Sequence, residues 1–242
     1  HQLADFFWPG PLTLVLEKAA NVPSIVTAGK NTVGVRVPDH PLTRELLEKL
    51  PFPLVAPSAN RSNHISPTSP QHVLDSLGKE APFILDGGNC TRGIESTIIG
   101  FENGVPKIYR FGAVSKEEIE SVLSCKLSTN TRSELPLAPG MFKKHYSPEI
   151  PLIATNDVNE AIEQNAEKNI GIIYFNTRNI RHKEHPYRVL SLSGDLNETA
   201  ANLYKSMYEL EKMDLDLIIA ELLPDEGIGA SINDRLNRAA SR

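Results

Sequence analysis

Short apolar runs rich in β-branched residues limit the fold of this chain more than any other feature. Each run is bounded by Gly, Pro or Asn, as strands usually are, and the first half contains them at residues 12–16, 32–37, 53–56, 83–85, 97–101 and 105–109. Apolar residues at helical spacing predict helices between some of these strands, at residues 41–50, 70–77 and 116–123. Asp39 is the predicted N-cap of the first of these helices. The pattern predicts a mixed α/β domain that ends near Ser124.

The second half of the chain alternates strands and helices with a regular rhythm. Strands are predicted at residues 151–155, 171–175, 188–192 and 215–220. Helices are predicted at residues 158–168 and 196–210, and a last helix is expected to begin at Ser231 or Asn233. This alternation is typical of a small parallel, Rossmann-like sheet.

Residues 125–149 separate the two halves and lack any periodicity. They are rich in Ser, Thr and Pro, which is typical of a linker. The linker also contains a group of larger side chains that favours docking on a domain surface, namely Met141, Phe142, His145 and Tyr146. The predicted organisation is a first domain over residues 1–124, a docking linker over 125–149 and a second domain over 150–242.

Composition and charge argue against several classes of protein. The 242 residues are 40% hydrophobic and 23% charged, which is ordinary for a globular protein, and the net charge of −5 argues against a broad nucleic-acid-binding surface. No apolar run approaches the length of a membrane span, and no signal-peptide pattern opens the chain. Cys90 and Cys125 lie far apart and predict reduced thiols in a cytoplasmic protein. The histidines fit no metal-binding motif, so no metal ligand is predicted.

A stretch of hydroxyl and amide side chains, LVAPSANRSNHISPTSP at residues 54–70, follows one of the predicted strands. Ser58 and Asn60 alternate just past the strand end, where open α/β sheets place ligand-binding groups. Ser66, Thr68 and Ser69 precede a predicted helix, and one of them should cap it. Taken alone, the stretch favours turn and capping chemistry over a binding site.

Two arginines lie in or directly after strand-like runs. Arg36 is part of TVGVRVP, and Arg110 follows VPKIY. The planar guanidinium suits a carboxylate or a phosphate, and an internal Asp or Glu partner is the alternative. The hydroxyl-rich loops nearby in the sequence favour an anionic ligand.

The segment RGIEST, at residues 92–97, places Ser96 and Thr97 near the start of a predicted strand. Gly93 allows a tight turn before them. No Ser/His/Asp set or nucleophile elbow accompanies Ser96, so it is not predicted to be a nucleophile. Glu95 is either a surface charge or an acid/base group.

Taken together, several ordered motifs resemble one family, the long form of the YrdC-like L-threonylcarbamoyladenylate synthases. In the first half these are FWPGPLTLVL (7–16), VGVRVPDHP (33–41), APSANRS followed by SPT (56–68), GIESTII (93–99) and YRFG (109–112). In the second half they are LAPGMFKKHYSP (137–148) and GIGASINDRLNRAA (227–240). The resemblance covers essentially the whole chain, and the order of the motifs makes it specific.

The resemblance implies an α/β architecture, with a YrdC-like mixed twisted sheet domain that is incomplete at its N-terminus and a small Rossmann-like parallel domain joined by an ordered linker. It also implies a nucleotidyltransferase that forms threonylcarbamoyladenylate and pyrophosphate from L-threonine, bicarbonate and ATP, with Mg²⁺ bound to the ATP. Other proteins then transfer the threonylcarbamoyl group to an adenosine of tRNA, so this tRNA-processing role requires no stable tRNA binding and no membrane.

The family's ligand-binding positions match particular residues of this sequence. The resemblance assigns ATP binding to Thr32, Ser58, Asn60, Ser66, Arg110, His145 and Tyr146. It assigns threonine binding to Arg36, Ala56 and Ser96, with Arg36 on the carboxylate and Ala56 acting through its backbone. No catalytic side chain is predicted, because a carbamate that attacks the α-phosphate relies on positioning and electrostatic stabilisation.

The sequence also departs from the family pattern. The chain begins with His1 rather than Met, and no segment matches the family's upstream Lys and Arg, so we expect further residues upstream and weak or absent synthesis by this fragment alone. Asn63 stands where Gly is usual, and Asn tolerates a left-handed backbone. Two alternatives remain: a nucleotide- or anion-binding protein without synthase activity, and a double-stranded-RNA-binding module, against which the acidic balance argues.

Overall fold

The computed structural model describes residues 1–129 and 146–241, which fall into two compact units. The first unit contains residues 1–57 and 95–129, and the second contains residues 58–94 and 146–241. Most of the predicted linker therefore lies outside the described residues. Among the described residues, no helix is both long enough and apolar enough to cross a membrane.

The described chain contains both helices and strands. The helices are α1 (Gln2–Phe7), α2 (Pro41–Glu48), α3 (Pro70–Leu77), α4 (Lys116–Leu123), α5 (Val158–Glu163), α6 (Leu196–Glu211) and α7 (Ile228–Ala240). The strands are β1 (Leu12–Glu17), β2 (Thr32–Val35), β3 (Thr97–Glu102), β4 (Val105–Arg110), β5 (Ser128–Thr129), β6 (Leu152–Thr155), β7 (Ile170–Tyr174), β8 (Tyr187–Val189) and β9 (Leu217–Glu221). The predicted α/β class is confirmed.

The first unit contains a mixed sheet in the order β2-β1-β3-β4-β5. β1 pairs antiparallel with β2 and parallel with β3, β3 pairs antiparallel with β4, and β4 pairs parallel with β5. Alternate side chains of the strands pack with α1 and α4 in an apolar core, which contains Leu3, Leu12, Leu14, Ile99, Ile108, Val114, Ile119 and Leu127. Burial of these side chains is the main stabilising contribution in this unit.

Local capping explains why some helix limits follow from the sequence and others do not. The hydroxyl of Ser115 begins α4 in a capping box with Glu118, and Ser69 caps α3, as one of the three hydroxyls there was predicted to do. The predicted N-cap Asp39 is wrong, because α2 begins after His40, whose side chain makes no capping bond. Pro41 has no N–H to satisfy, and it holds His40 in an extended conformation.

Two of the predicted strands, at residues 53–56 and 83–85, are wrong. Both segments are loops in which apolar side chains are exposed, including Val55 and Phe83. A strand needs a neighbour that accepts and donates its backbone hydrogen bonds, and no described strand pairs with either segment. Apolar composition therefore predicted two strands that pair with no other strand in the described part of the chain.

The second unit contains a parallel sheet in the order β6-β9-β7-β8, which confirms the Rossmann-like prediction. Its two central strands, β9 and β7, are buried along their whole length: α5 contacts β6 and β9, while α6 and α7 contact each other and the sheet. The last helix begins at Ile228, earlier than predicted. Gly227 ends the preceding loop at φ 53°, and the Asn233 side chain bonds both backbone groups of Leu223 instead of capping the helix.

Candidate functional site

Ser96 is the centre of a polar cluster in the first unit. It directly precedes β3 and is buried, with 5% of its surface exposed. Its hydroxyl lies 2.7 Å from the hydroxyl of Thr13 on the parallel neighbour β1. From the antiparallel neighbour β4, Arg110 donates to the Ser96 carbonyl oxygen from Nε at 3.1 Å and from Nη2 at 2.8 Å, and Nη2 lies 3.1 Å from the Ser96 hydroxyl. Side chains of two neighbouring strands, β1 and β4, therefore fix the orientation of Ser96.

The segment that follows Arg110 supports the backbone on both sides of Ser96. The Ala113 N–H donates to the Glu95 carbonyl oxygen at 3.0 Å, and the Thr97 hydroxyl bonds both backbone groups of Val114, at 2.5 and 3.0 Å. A Cβ at Gly112 would lie 2.4 Å from the carbonyl carbon of Ser96, closer than real atoms approach. The glycine of YRFG therefore permits a close backbone approach that holds the Ser96 segment in place.

Arg36, the other arginine predicted to bind an anion, directly follows β2 in the same unit. Arg36 is an exposed residue, but partial desolvation of its guanidinium lowers the pKa of that group, the positive charge of Arg110 lowers it further, and the carboxylate of Asp39 acts in the opposite direction. Guanidinium groups remain charged in proteins, so this effect of Arg110 means that the positive charges of the two arginines repel each other. An anion bound between them would relieve that repulsion, which favours the predicted carboxylate or phosphate ligand.

The first unit holds two more predicted ligand residues. Thr32 begins β2, is half-buried and lies opposite Glu17 in the register of β1. Ala56 is exposed in the loop before Pro57. The structure thus brings Ser96 and Arg110 into contact and places Arg36 within electrostatic range of Arg110. Thr13 was missed by sequence reasoning, because its approach to Ser96 depends on the pairing of β1 with β3.

Ser58, Asn60 and Ser66 belong to the second unit, in the polar stretch before α3. The Asn60 amide nitrogen donates to two carbonyl oxygens, of Arg61 at 2.9 Å and of His64 at 3.1 Å. These bonds fix the amide orientation, and its Oδ1 is buried without a hydrogen-bond donor among the described residues. An amide oxygen accepts hydrogen bonds, so a ligand hydroxyl or amine suits it better than a phosphate oxygen. Ser58 is exposed, whereas Ser66 is buried.

The two predicted linker residues differ in what the structure describes. His145 lies outside the described residues. Tyr146 is 1% exposed, with φ 64°, and it packs in the second unit. Its ring stacks on Tyr204 with the centroids 5.9 Å apart, and the guanidinium carbon of Arg235 lies 5.2 Å from its centroid. These contacts give Tyr146 a packing role in this conformation, and its contact with a nucleotide stays a prediction.

Within residues 1–129 and 146–241, no group of three or more His, Cys, Asp or Glu side chains is arranged to hold a metal ion. The polar groups gathered here are hydroxyls, amides and guanidinium groups. Such groups can orient and neutralise an anionic substrate, and they act by positioning and electrostatic stabilisation.

Two family descriptions match adjacent parts of the chain. Residues 1–112 match the Sua5_yciO_yrdC family, described as telomere recombination. Residues 114–241 match the Sua5_C family, described as the C-terminal domain of threonylcarbamoyl-AMP synthase. Both names agree with the family that the ordered sequence motifs predict.

Curated proteins and solved structures extend this similarity. The threonylcarbamoyl-AMP synthase of Bacillus subtilis is 34% identical over 97% of this chain and 70% of its own length. The enzyme of the same name from Pyrococcus abyssi is 33% identical over 98% of this chain and 72% of its own length. The crystal structure of P. abyssi Sua5 complexed with L-threonine has a TM-score of 0.88 and 33% identity, and the match covers 98% of this chain and 72% of that one.

Proposed function

Because the chain belongs to the threonylcarbamoyl-AMP synthase family, we propose that the full-length protein joins L-threonine, bicarbonate and ATP into threonylcarbamoyl-AMP and releases pyrophosphate. The structural observation that supports this proposal is the cluster of Ser96, Arg110 and Arg36. It combines a hydroxyl group of fixed orientation with two guanidinium groups that repel each other. Such a cluster is suited to an anionic substrate. A structure of the P. abyssi relative is described as a complex with L-threonine, which supports threonine as the amino acid.

In the proposed threonine site, Arg36 binds the carboxylate of the amino acid, Ser96 contributes its hydroxyl, and Ala56 contributes its backbone. A hydrogen bond to a charged group contributes about 1.5–3 kcal/mol. Arg110 fixes Ser96 through its carbonyl oxygen and adds positive charge. The arrangement therefore selects for a carboxylate beside a hydroxyl-bearing group.

In the proposed nucleotide site, ATP contacts Thr32, Ser58, Asn60, Ser66, Arg110, His145 and Tyr146. Mg²⁺ enters bound to the ATP phosphates, and the hydroxyl and amide groups of this set suit a hydrated ion that takes few protein ligands. The amine of threonine and carbon dioxide form a carbamate, whose oxygen attacks the α-phosphorus while the bond to pyrophosphate breaks. The protein orients both substrates and supplies no covalent nucleophile.

The product carries a threonylcarbamoyl group activated by AMP, so a second reaction must consume it by acyl transfer. We propose that separate proteins transfer this group to a tRNA adenosine in the cytoplasm. Cys90 and Cys125 are both free cysteines, which agrees with a reducing compartment.

Pyrophosphate release tests the proposed reaction. Full-length protein is incubated with ATP, Mg²⁺ and bicarbonate, with and without L-threonine, and the nucleotide product is identified by mass spectrometry. The expected result is threonine-dependent release of pyrophosphate together with threonylcarbamoyl-AMP. ATP binding without any release would instead indicate a nucleotide-binding protein, and threonine-independent release would also contradict the proposal.

The variant Arg36→Ala tests the threonine site. Loss of a charge-assisted contact should lower kcat/KM for threonine by roughly 10- to 150-fold, which corresponds to about 1.5–3 kcal/mol. Arg44→Ala is the matched control, since Arg44 is an exposed arginine on α2 whose Nη2 lies 3.7 Å from Glu48 on the same helix. Equal threonine kinetics in the two variants would remove Arg36 from the site.

A further inference from the structure

The side chain of Tyr208 on α6 reaches the stretch of residues 58–69, called the SAN loop below. Its hydroxyl donates a hydrogen bond to the carbonyl oxygen of Ile65 at 2.8 Å. Tyr208 is 8% exposed, and Ile65, which directly precedes Ser66, is 1% exposed. Burial raises the pKa of Tyr208 to about 12, and the negative charges of Glu211 and Asp75 add to the effect, so the hydroxyl stays protonated and able to donate.

We propose that Tyr208 is a positioning residue for nucleotide binding, which acts through Ile65 to hold the SAN loop in the conformation that presents Ser58, Asn60 and Ser66. This role rests on the proposed function, which assigns the nucleotide to that loop. In this role, helix α6, which packs on the Rossmann-like sheet, supports nucleotide binding without itself contacting the substrates.

The ring of Tyr208 holds the far end of the same loop. It stacks on the imidazole of His72, with the centroids 3.9 Å apart and the planes inclined by 22°. His72 lies in the first turn of α3, its backbone N–H donates to the Ser69 hydroxyl at 3.2 Å, and its Nδ1 accepts from the Thr68 N–H at 3.3 Å. The hydroxyl of Tyr208 therefore holds the SAN loop directly at Ile65, and its ring holds the end of the loop indirectly, through His72.

Two other contacts attach the same region to the Rossmann-like part of the second unit. The Ser147 N–H donates to the Asn63 carbonyl oxygen at 3.0 Å, and Asn63 adopts the left-handed φ of 67° expected from its sequence position. At the end of α3, the ammonium group of Lys212 lies 3.0 Å from a carboxylate oxygen of Asp75. The Lys212 pair is largely exposed and the Tyr208 contact is buried, so Tyr208 contributes more to fixing the loop.

The variant Tyr208→Phe tests the proposal, because phenylalanine keeps the ring that stacks on His72 and removes only the hydroxyl. The KM for ATP should rise about 3- to 10-fold, as the loss of one buried hydrogen bond predicts, while the KM for threonine stays within twofold. Amide hydrogen exchange at Ile65 and Ser66 should become faster. Tyr187→Phe on β8 is the matched control and should leave all three quantities unchanged.

A second pair of variants tests the same loop without touching a buried group. Lys212→Ala removes the contact with Asp75, whereas Lys205→Ala removes an exposed lysine whose partner, Glu209, is on α6 itself. Only Lys212→Ala should accelerate exchange in α3 and raise the KM for ATP, and by less than Tyr208→Phe does. This pair keeps the test decisive if Tyr208→Phe does not fold.

Three results would overturn the proposal: unchanged exchange at Ile65 in folded Tyr208→Phe, faster exchange there with an unchanged KM for ATP, or equal increases in both KM values. If the unmodified protein releases no pyrophosphate, the proposed reaction fails on its own. The affinity of the protein for ATP, measured by titration, then replaces KM, and a loss in Tyr208→Phe but not in Tyr187→Phe still supports the positioning role.

Discussion

Arg110 holds the carbonyl oxygen of Ser96 with two nitrogens of one guanidinium, Nε at 3.1 Å and Nη2 at 2.8 Å. This geometry needs the planar fork of arginine, because a lysine ammonium presents a single point charge. The contact joins the end of β4 to the residue before β3, and thus ties a cation to the proposed threonine site. The orientation of Ser96 therefore depends on the type of cation as well as on its charge.

Replacement of Arg110 by lysine tests this dependence. Arg110→Lys keeps the positive charge and loses the bidentate contact, so the affinity for threonine should fall about 5- to 10-fold, as expected for the loss of about 1 kcal/mol. Isothermal titration with L-threonine measures the effect. Lys107→Arg, at a half-buried position on the same strand, is the control and should bind threonine normally. Normal threonine affinity in Arg110→Lys would show that the paired contact does not orient Ser96.

The close approach at Gly112 gives a second prediction. In Gly112→Ala, a Cβ would lie 2.4 Å from both the Ser96 carbonyl carbon and the Thr97 nitrogen, so the backbone must move apart. We expect a loss of roughly 1–3 kcal/mol in the free energy of unfolding, as for overpacked cores, together with weaker threonine binding. Urea denaturation followed by circular dichroism measures the stability.

Gly34→Ala on β2 is the control for Gly112→Ala. A Cβ at Gly34 would lie 3.3 Å from a side-chain methyl group of Thr13, which can yield by a few tenths of an ångström. This control should therefore cost less than Gly112→Ala. Equal stabilities would mean that the YRFG segment does not pack against the backbone of Ser96.

The sequence predicted well those helices whose limits are marked by residues close by in the chain. Both ends of α3 and α4 were predicted correctly, since Ser69 and Ser115 supply the N-caps and apolar spacing marks each helix. The strands predicted at residues 53–56 and 83–85 were wrong, because strand formation depends on a partner that composition does not reveal. Tertiary pairing also decided which polar groups meet. Arg110 and Ser96 were both predicted ligand residues, but their contact follows from the register of β3 with β4.

His72 predicts a pH dependence of the contact between α3 and α6. Burial lowers the pKa of its imidazole below the ordinary 6.5; Lys212 and Lys205 lower it further, while Asp75 and Glu209 raise it. When the contact opens, His72 returns to its ordinary pKa and binds protons more readily than in the folded state. The contact is therefore fully stable above pH 6.5 and loses stability as the pH falls from 6.5 toward the folded pKa.

Hydrogen exchange at pH 5.0 to 8.0, corrected for the intrinsic pH dependence of exchange, measures this loss. Protection at Ile65 and Ser66 should decrease below pH 6.5 in the unmodified protein. His72→Phe keeps an aromatic ring against Tyr208 and cannot titrate, so its protection should not change over this range. His185→Asn, in the loop before β8, is the control and should retain the pH dependence. A pH dependence that persists in His72→Phe would assign the titration to another group.

The packing of Gly93 against α6 gives the last prediction. A Cβ at Gly93 would lie 2.1 Å from the carbonyl oxygen of Ala200 and 2.4 Å from the Cα of Ala201. In Gly93→Ala, the backbone at residue 93 and the backbone of α6 must therefore move apart. The positive φ of 70° adds strain for any residue with a side chain. Gly88→Ala separates the two effects, because its φ is 83° and no atom beyond its two chain neighbours lies within 4 Å of the added carbon among the described residues. Gly88→Ala should lose about 1 kcal/mol from strain alone, and Gly93→Ala a further 1–3 kcal/mol in urea denaturation, with faster amide exchange in the first half of α6. Similar losses in both variants would show that strain alone accounts for Gly93 and that its close approach to α6 is not required for stability.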